Sequence, residues 1–415
     1  MKVKGTDGHF AGTLPLGLVR FAASRAATRT STRGQPILLV LDAKRAFLHT
    51  DALGVTYVMP PHLRKTGLRW RLKKCMHGTL PAAAGWQKKV ASVYEAMDMV
   101  GCKTTPCALS HKTRGLVSVV HGDDVITAGS AQDIHWFEEE MAKHLEIVCN
   151  ARLGLGSGCS SEGKILNRVV RVDQNGFSWE AGPRHAEFAI QELGLTTARP
   201  QLRPGGAEAP EGDEEIVLET AAELAYRNVT ARLSYLASDR PELLFATKER
   251  GRASSCSTQA DLTHLKRIGH HLLKAPRCVW HFPWQDETYV WEGLLDADAY
   301  DEVEAKECKN ETYVLEGTSE STSGGAVRLG GHTLCAWRVV ALSSCEESDY
   351  YSLVRCAGEA IGLRETLKEM QLAYSIRLWT DASAARGLAL RTGGGQMCGL
   401  LDLKFEAGRA ATAPT

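Results

Sequence analysis

Residues 36–43, PILLVLDA, form an unbroken apolar run closed by an acid. A run of that length and composition predicts a strand buried on both faces. Further on, LVSVVHGDDVITAGS (116–130) sets two short valine-rich runs on either side of Gly122, Asp123 and Asp124. β-Branched residues flanking a glycine predict a β-hairpin with the two acids at its tip. Helical periodicity marks AAGWQKKVASVYEAM and AQDIHWFEEEMAKHL, and in the second Trp136, Phe137, Met141 and Leu145 are expected to share an apolar face. A Pro-, Gly- and acid-rich stretch, RPGGAEAPEGDEE (203–215), reads as a loop. Helical segments AAELAYRNVTARLSYLA, PELLFATKERGRA and ADLTHLKRIGHHLLK follow it. From residue 289 the pattern is strand (YVWEGLLDADAY), hairpin (GGAVRLGGHTLCAW), a long helix from Ser348 to Met370, strand (IRLWTDA) and a further helix.

Three blocks emerge from this order: 1–150, 151–285 with an acidic loop near 203–223, and 286–408. The alternation within them predicts an α+β protein whose last block is a mixed α/β sheet with helices. The chain has 415 residues, 44% hydrophobic and 24% charged, as expected for a soluble protein of two or three domains. With 49 basic and 49 acidic residues, the net charge selects no partner. Its distribution does. Between Ala52 and Tyr94 there is no Asp or Glu, but there are eight basic residues: Arg64, Lys65, Arg69, Arg71, Lys73, Lys74, Lys88 and Lys89. Trp70 and Trp86 lie among them. Basic residues interleaved with aromatics suit a phosphate backbone and stacked bases; a solvated face is the plainer reading. The twelve cysteines contain no C-x-x-C pair, and no apolar run approaches membrane-spanning length. Reduced thiols in an intracellular, cytoplasmic protein with no membrane partner are therefore expected.

Two adjacent carboxylates repel unless a cation lies between them. Asp and Gly also suit tight turns for backbone reasons alone, so the pair needs a third acid to indicate chemistry. Asp42 supplies it, at the end of the apolar strand and 81 positions before Asp123. The segment after it, AKRAFL, is expected to turn into a helix. A carboxylate at a strand end beside a hairpin carrying two more is the arrangement of a two-metal phosphoryl-transfer site, with ions about 3.5–4 Å apart.

Several blocks then occur in order. LDAKRAFLHTDALGVTYVMPP resembles D-V-K-x-A-F-L-x-G…V-Y-M-x-P-P, RLKKCMHGTLPAAAGW resembles L-K-K-x-L-Y-G-L-K-Q-A-P-R-A-W, and VVHGDDVITAG takes the place of Y-V-D-D. YRNVTARLSYLASDRPELLFATKE, HLKRIGHHLLKAPR, STSGGAVRLGGHTLCAW, ALSSCEESDYYSLV and LWTDASAARGLAL continue the series. The chain thus resembles the reverse transcriptase–ribonuclease H region of copia-type LTR retrotransposon Pol polyproteins, from about Phe10 to about Leu403.

The resemblance implies fingers, palm and thumb of a reverse transcriptase followed by a ribonuclease H-like domain. It implies RNA-directed DNA polymerase activity on an RNA template with a DNA primer and deoxynucleoside triphosphates. Asp42, Asp123 and Asp124 would hold two Mg2+ or Mn2+ ions. Ala43, Lys44, Arg45, Ala46 and Phe47 would form the nucleotide floor, with Phe47 either a screen against ribose or ordinary core. Arg69, Arg71, Lys73, Lys74, Trp86 and Lys88 would grip nucleic acid. For cleavage of an RNA–DNA hybrid, Asp296 and Asp381 match family metal-binding acids, and either Glu347 or Asp349 the acid between them.

Departures from the pattern are specific. LPAA (80–83) replaces K-Q-A-P, Gly399 stands where the family carries histidine, and little of the fingers precedes Phe10. A nucleic-acid-binding remnant without turnover is the alternative these departures leave.

Overall fold

The computed structural model describes residues 14–29, 34–52, 54–79, 81–205, 209–287, 290–295, 321–341, 345–372, 374–380 and 404–407. The first part of the chain contains α1 (Leu16–Ala26), β1 (Thr28–Arg29), β2 (Pro36–Ala43), β3 (Tyr57–Val58), β4 (Trp70–Arg71) and α2 (Ala82–Ala96). It continues through β5 (Val100–Gly101), β6 (Ala108–His111), β7 (Leu116–His121), β8 (Asp124–Ser130), α3 (Ala131–His144) and β9 (Ile147–Leu153). Six of these strands form one sheet in the order β5-β6-β7-β8-β2-β9, antiparallel at every pairing.

As its unbroken apolar run predicts, β2 is covered on both faces. Ile37, Leu39, Leu41 and Ala43 pack with Trp86, Val90 and Tyr94 of α2 and with Ile134, Phe137 and Met141 of α3. Leu38 and Val40 point the other way, to Phe21, Ala22 and Ala26 of α1. Of the face expected on α3, Phe137, Met141 and Leu145 are buried. Trp136 sits at the margin, under the Arg114 guanidinium at 3.9 Å and edge-on to His111. The turn after Asp42 differs from expectation: Arg45 takes a left-handed conformation (φ 56°), and Ala46–His49 is a single 3-10 turn instead of an α-helix.

The middle of the chain holds a sheet that the helical reading of this block misses. β10 (Glu162–Ile165), β11 (Arg168–Asp173), β12 (Gly176–Ala181) and, after α4 (Arg184–Glu192), α5 (Thr220–Ala237), α6 (Leu244–Arg252) and α7 (Gln259–Lys274), β13 (Val279–Pro283) pair in sequential order. RVVRVDQNGFSWEA carries the strand alternation for it, and the hairpin turns through Gln174 and Asn175 between the paired Asp173 and Gly176. Gly176 is required there: at φ 140°, a Cβ would lie 2.1 Å from Phe282 O. The short β14 (Gln285–Asp286) pairs in parallel with β1.

Last come β15 (Val290–Leu295), β16 (Ser321–Leu329), β17 (His332–Ala341), α8 (Cys345–Glu369), β18 (Ser375–Thr380) and β19 (Lys404–Ala407), with sheet order β17-β16-β15-β18-β19. β15 runs parallel to β18, and β16 antiparallel to β15 and β17. This sheet is not hung from the rest by a tether. α1 lies between the first sheet and β17, so close that a Cβ on Gly17 would meet Cys335 Sγ at 2.5 Å. One apolar core therefore runs from Val117 and Ile126 through Phe21 and Trp179 to Leu334, Leu353 and Leu367.

A polar latch reinforces that contact. The Glu369 carboxylate at the end of α8 accepts from Cys102 Sγ (2.8 Å), Lys103 N (2.7 Å) and Thr104 N (3.1 Å). These hydrogen bonds, the Cys102 thiol first, lower the Glu369 pKa from an ordinary 4.5 to about 2. A depressed carboxylate stabilises the fold fully above its unfolded pKa and loses that contribution as pH falls through the folded value. Glu369→Ala is expected to raise amide exchange at Lys103 and Thr104 at neutral pH. The wild-type protein should show the same change only below about pH 4.5, on the way to 2. Unchanged exchange at those two amides in the variant would refute the latch.

Candidate active site

Backbone pairing assembles the three acids of the first sheet. Asp42, the second-last residue of β2, is the register partner of Asp124, the first residue of β8. Asp124 also closes the β7–β8 hairpin against His121. Gly122 takes φ 62° at the first of the two turn positions, a conformation glycine adopts without steric cost. Asp123, at the second, is exposed. Ala43 N donates to Asp123 O at 2.9 Å, tying the tip of the hairpin to the residue after Asp42.

Electrostatics oppose this arrangement in the free protein. Asp42 is raised above its ordinary pKa by partial burial and then by Asp123, with Lys44 partly offsetting both. Burial, Asp123 and Asp42 together raise Asp124, and His121 counters them. Asp42 and Asp124 thus each sit close enough to neighbouring carboxylates for that charge to disfavour their own, and hard oxygen donors of this kind suit Mg2+ or Mn2+. The side chains do not form a closed ligand set: among the described residues, no three His, Cys, Asp or Glu groups are arranged to hold one metal ion. The donor chemistry fits a divalent cation; the coordination shell would have to close around it.

The expected floor divides in two. Ala43 and Ala46 are buried under the sheet, at 1% exposure each, whereas Lys44 and Arg45 face solvent. Lys44 Nζ lies 3.4 Å from Glu146. Phe47 is half-buried against the α2–α3 core and meets the His77 ring edge-on at 4.6 Å, so it has both a packing partner and an open side.

Of the expected nucleic-acid contacts, Arg69, Arg71, Lys73, Lys74 and Lys88 are exposed. Lys74 is paired with Asp51 at 2.8 Å. Arg71 and Trp70 belong to the β3–β4 ribbon, where Tyr57 and Trp70 remain more than half exposed at 59% and 55%. Trp86 is a correction. It is only 3% exposed, buried beneath the hairpin, and its indole Nε1 donates to Gly122 O at 2.6 Å. A ring so enclosed presents no face to a base. The helical spacing of AAAGWQKKVASVY itself places Trp86 in register with Val90 and Val93 on the apolar face of α2.

In the last sheet, Asp296 and Asp381 lie outside the described residues. Each directly follows the final residue of a described strand, and those final residues, Leu295 and Thr380, are register partners on neighbouring parallel strands. Glu347 and Asp349 fall in the first turns of α8, the helix that packs across β15, β16 and β18. Gly399 is outside the described residues.

These sheets and helices make up a reverse-transcriptase fold: palm, fingers and thumb elements followed by a ribonuclease H-like mixed sheet. The particular structures it is similar to are those of a foamy viral protease-reverse transcriptase. In complex with an RNA/DNA hybrid, that structure aligns over 97% of this chain and 46% of its own, at 11% identity and a TM-score of 0.53. In complex with dsDNA it aligns over 100% of this chain and 73% of its own, again at 11% identity and 0.53. The present chain thus spans about half the length of the first of these. No family model and no curated protein sequence matches it.

Proposed function

We propose that this chain is an RNA-directed DNA polymerase with a ribonuclease H-like domain, from the Pol region of a copia-type retrotransposon. The observation that carries the proposal is the register pairing of Asp42 with Asp124, with Asp123 beside them on a glycine-opened turn. No packing requirement explains three mutually repelling acids at one sheet end, whereas a two-cation nucleotidyl-transfer site does. Asp42, Asp123 and Asp124 would hold Mg2+ or Mn2+, and bound ions would supply charge stabilisation to the attacking and leaving oxygens. Lys44 and Arg45, exposed beside the acids, would meet the triphosphate of an incoming deoxynucleotide. Arg69, Arg71 and Lys73 on and beside the β3–β4 ribbon would meet template phosphates.

By the same reading, residues 1–150 are fingers and palm, 151–285 thumb and connection, and 286–408 the ribonuclease H-like unit. Asp296 and Asp381, with Glu347 or Asp349, would form its acid cluster, working on an RNA–DNA hybrid in the cytoplasm.

The test is primer extension on an RNA template with Mg2+ or Mn2+, comparing the chain with Asp42→Asn. Template-dependent extension by the wild type and its loss in the variant are expected. Absence of extension by the wild type at every metal concentration would reject the polymerase. Tyr57, Trp70 and the neighbouring basic residues favour a second reading, nucleic-acid binding without turnover. It would be left standing if hybrid still bound in a salt-sensitive way.

A further inference from the structure

We infer that Trp86 is a positioning residue for the acid-bearing turn, acting through Gly122 and not through nucleic acid. The inference rests on reading Asp42, Asp123 and Asp124 as the cation site. The turn has two backbone carbonyls at its tip, and each is held from a different side. Asp123 O accepts from Ala43 N at 2.9 Å. Gly122 O accepts from Trp86 Nε1 at 2.6 Å. The first bond ties the turn to the strand that carries Asp42; the second ties it to α2, an element that carries none of the acids.

A two-residue hairpin tip with glycine at one position is otherwise easily displaced, since glycine restrains its own φ so little. Trp86 is suited to oppose that. Its ring is 97% enclosed, the complement of the 3% exposure, so the N–H cannot swing to solvent. A hydrogen bond from a locked indole fixes both distance and direction.

The same ring couples the turn to the opposite wall. His49 lies 6.3 Å from it, centroid to centroid, and His49 Nε2 donates to Lys44 O at 3.0 Å. Gly122 O, Trp86, His49 and Lys44 O therefore form a continuous path from the turn to the segment behind Asp42. Displacement of the turn would separate Asp123 and Asp124 from Asp42, which is why Trp86 should govern cation affinity although it offers no ligand atom. Groups that orient ligands from behind typically change metal affinity by about 10–100-fold when removed.

Trp86→Phe keeps an aromatic ring, smaller than the indole, in the pocket and removes the N–H. Free Mn2+ counted by electron paramagnetic resonance during titration of the full chain gives the readout, with Asp123→Asn/Asp124→Asn alongside. The expected result is Mn2+ binding by the wild type, loss in the double variant, and binding about tenfold weaker in Trp86→Phe at unchanged circular dichroism. Wild-type affinity in Trp86→Phe, with binding lost in the double variant, would overturn the positioning role and leave the cation site intact. Unaltered binding in the double variant would reject the cation site itself, and the inference with it. A second measurement on the unaltered chain decides the matter if Trp86→Phe does not fold. The Trp86 indole N–H should exchange slowly with solvent and broaden on addition of Mn2+; rapid exchange would refute the hydrogen bond.

Discussion

Asp239→Ala is expected to destabilise the protein by about 3–5 kcal/mol, the cost of removing one partner from a buried charged network. Asp239 follows the end of α5 and is fully buried. Its Oδ1 accepts from Arg20 Nη2 and Trp179 Nε1, each at 2.9 Å, and its Oδ2 from Arg168 Nε at 2.8 Å. Its backbone carbonyl accepts from Trp280 Nε1 at 2.8 Å. The two guanidiniums are themselves only 4% and 8% exposed, so deletion of the acid strands two cations away from water.

The network also holds distant parts of the chain together. Arg20 comes from α1, Arg168 from β11 and the tryptophans from β12 and β13, and Arg20 Nη1 reaches on to Leu334 O in β17. Loss of Asp239 should therefore loosen the middle sheet and the last sheet together. Burial alone would push the Asp239 carboxyl upward, but Arg20 and Arg168 outweigh it and hold the group below its ordinary 3.8. Its contribution is thus present above pH 3.8 and disappears as pH falls through the lower folded value. Denaturant unfolding of wild type, Asp239→Ala and Asp239→Asn at pH 7 checks this. A loss below about 1 kcal/mol in the alanine variant would show that the network is not a keystone.

The largest functional effect is expected from Asp123→Asn/Asp124→Asn. Primer extension should fall by about a thousandfold or more, because charge stabilisation by bound ions contributes several kcal/mol and each 1.36 kcal/mol is about tenfold in rate. Stability should move the opposite way. Asp42 and Asp124 both have raised pKa values in the folded protein, so at neutral pH their ionised forms oppose folding. That penalty is present above the folded pKa values and fades as pH falls through them. Asparagines at 123 and 124 remove the share carried by Asp124 and by the Asp123 charge on Asp42, and the melting temperature of the double variant without metal should equal or exceed that of the wild type at pH 7. Adding Mg2+ reverses the order: at about 100 times the dissociation constant, a ligand of the native state contributes about 2.7 kcal/mol. Only the wild type should receive that increment. A double variant that melts lower than wild type without metal would show that the acids serve the fold. One that still extends primers would show that catalysis lies elsewhere.

Local pattern determined a good deal. PILLVLDA has too few polar positions to face water on either side, and β2 is covered on both faces. Valine runs around Gly122 made the hairpin, and helical periodicity made α2, α3, α5, α7 and α8. RVVRVDQNGFSWEA carries its own strand alternation and turn and forms β11 and β12 between the helical segments of its block. Basic neighbours in sequence suggest that Trp86 shares their surface, and the structure buries it instead. A helix separates neighbours onto different faces, so Lys88 is exposed while Trp86 is buried.

What no local pattern contains is the identity of partners. Composition predicts that β2 pairs with something; only the assembled sheet makes Asp42 the partner of Asp124, and a slip of one residue would turn Asp42 to the other face. The Glu369 latch joins residues 266 positions apart at Lys103, and Arg20 meets Asp239 across 219. Periodicity reports how much of a side chain is hidden, because burial depends on the element's own repeat. Which group hides it depends on contacts between distant segments, and those exist only once the chain has folded.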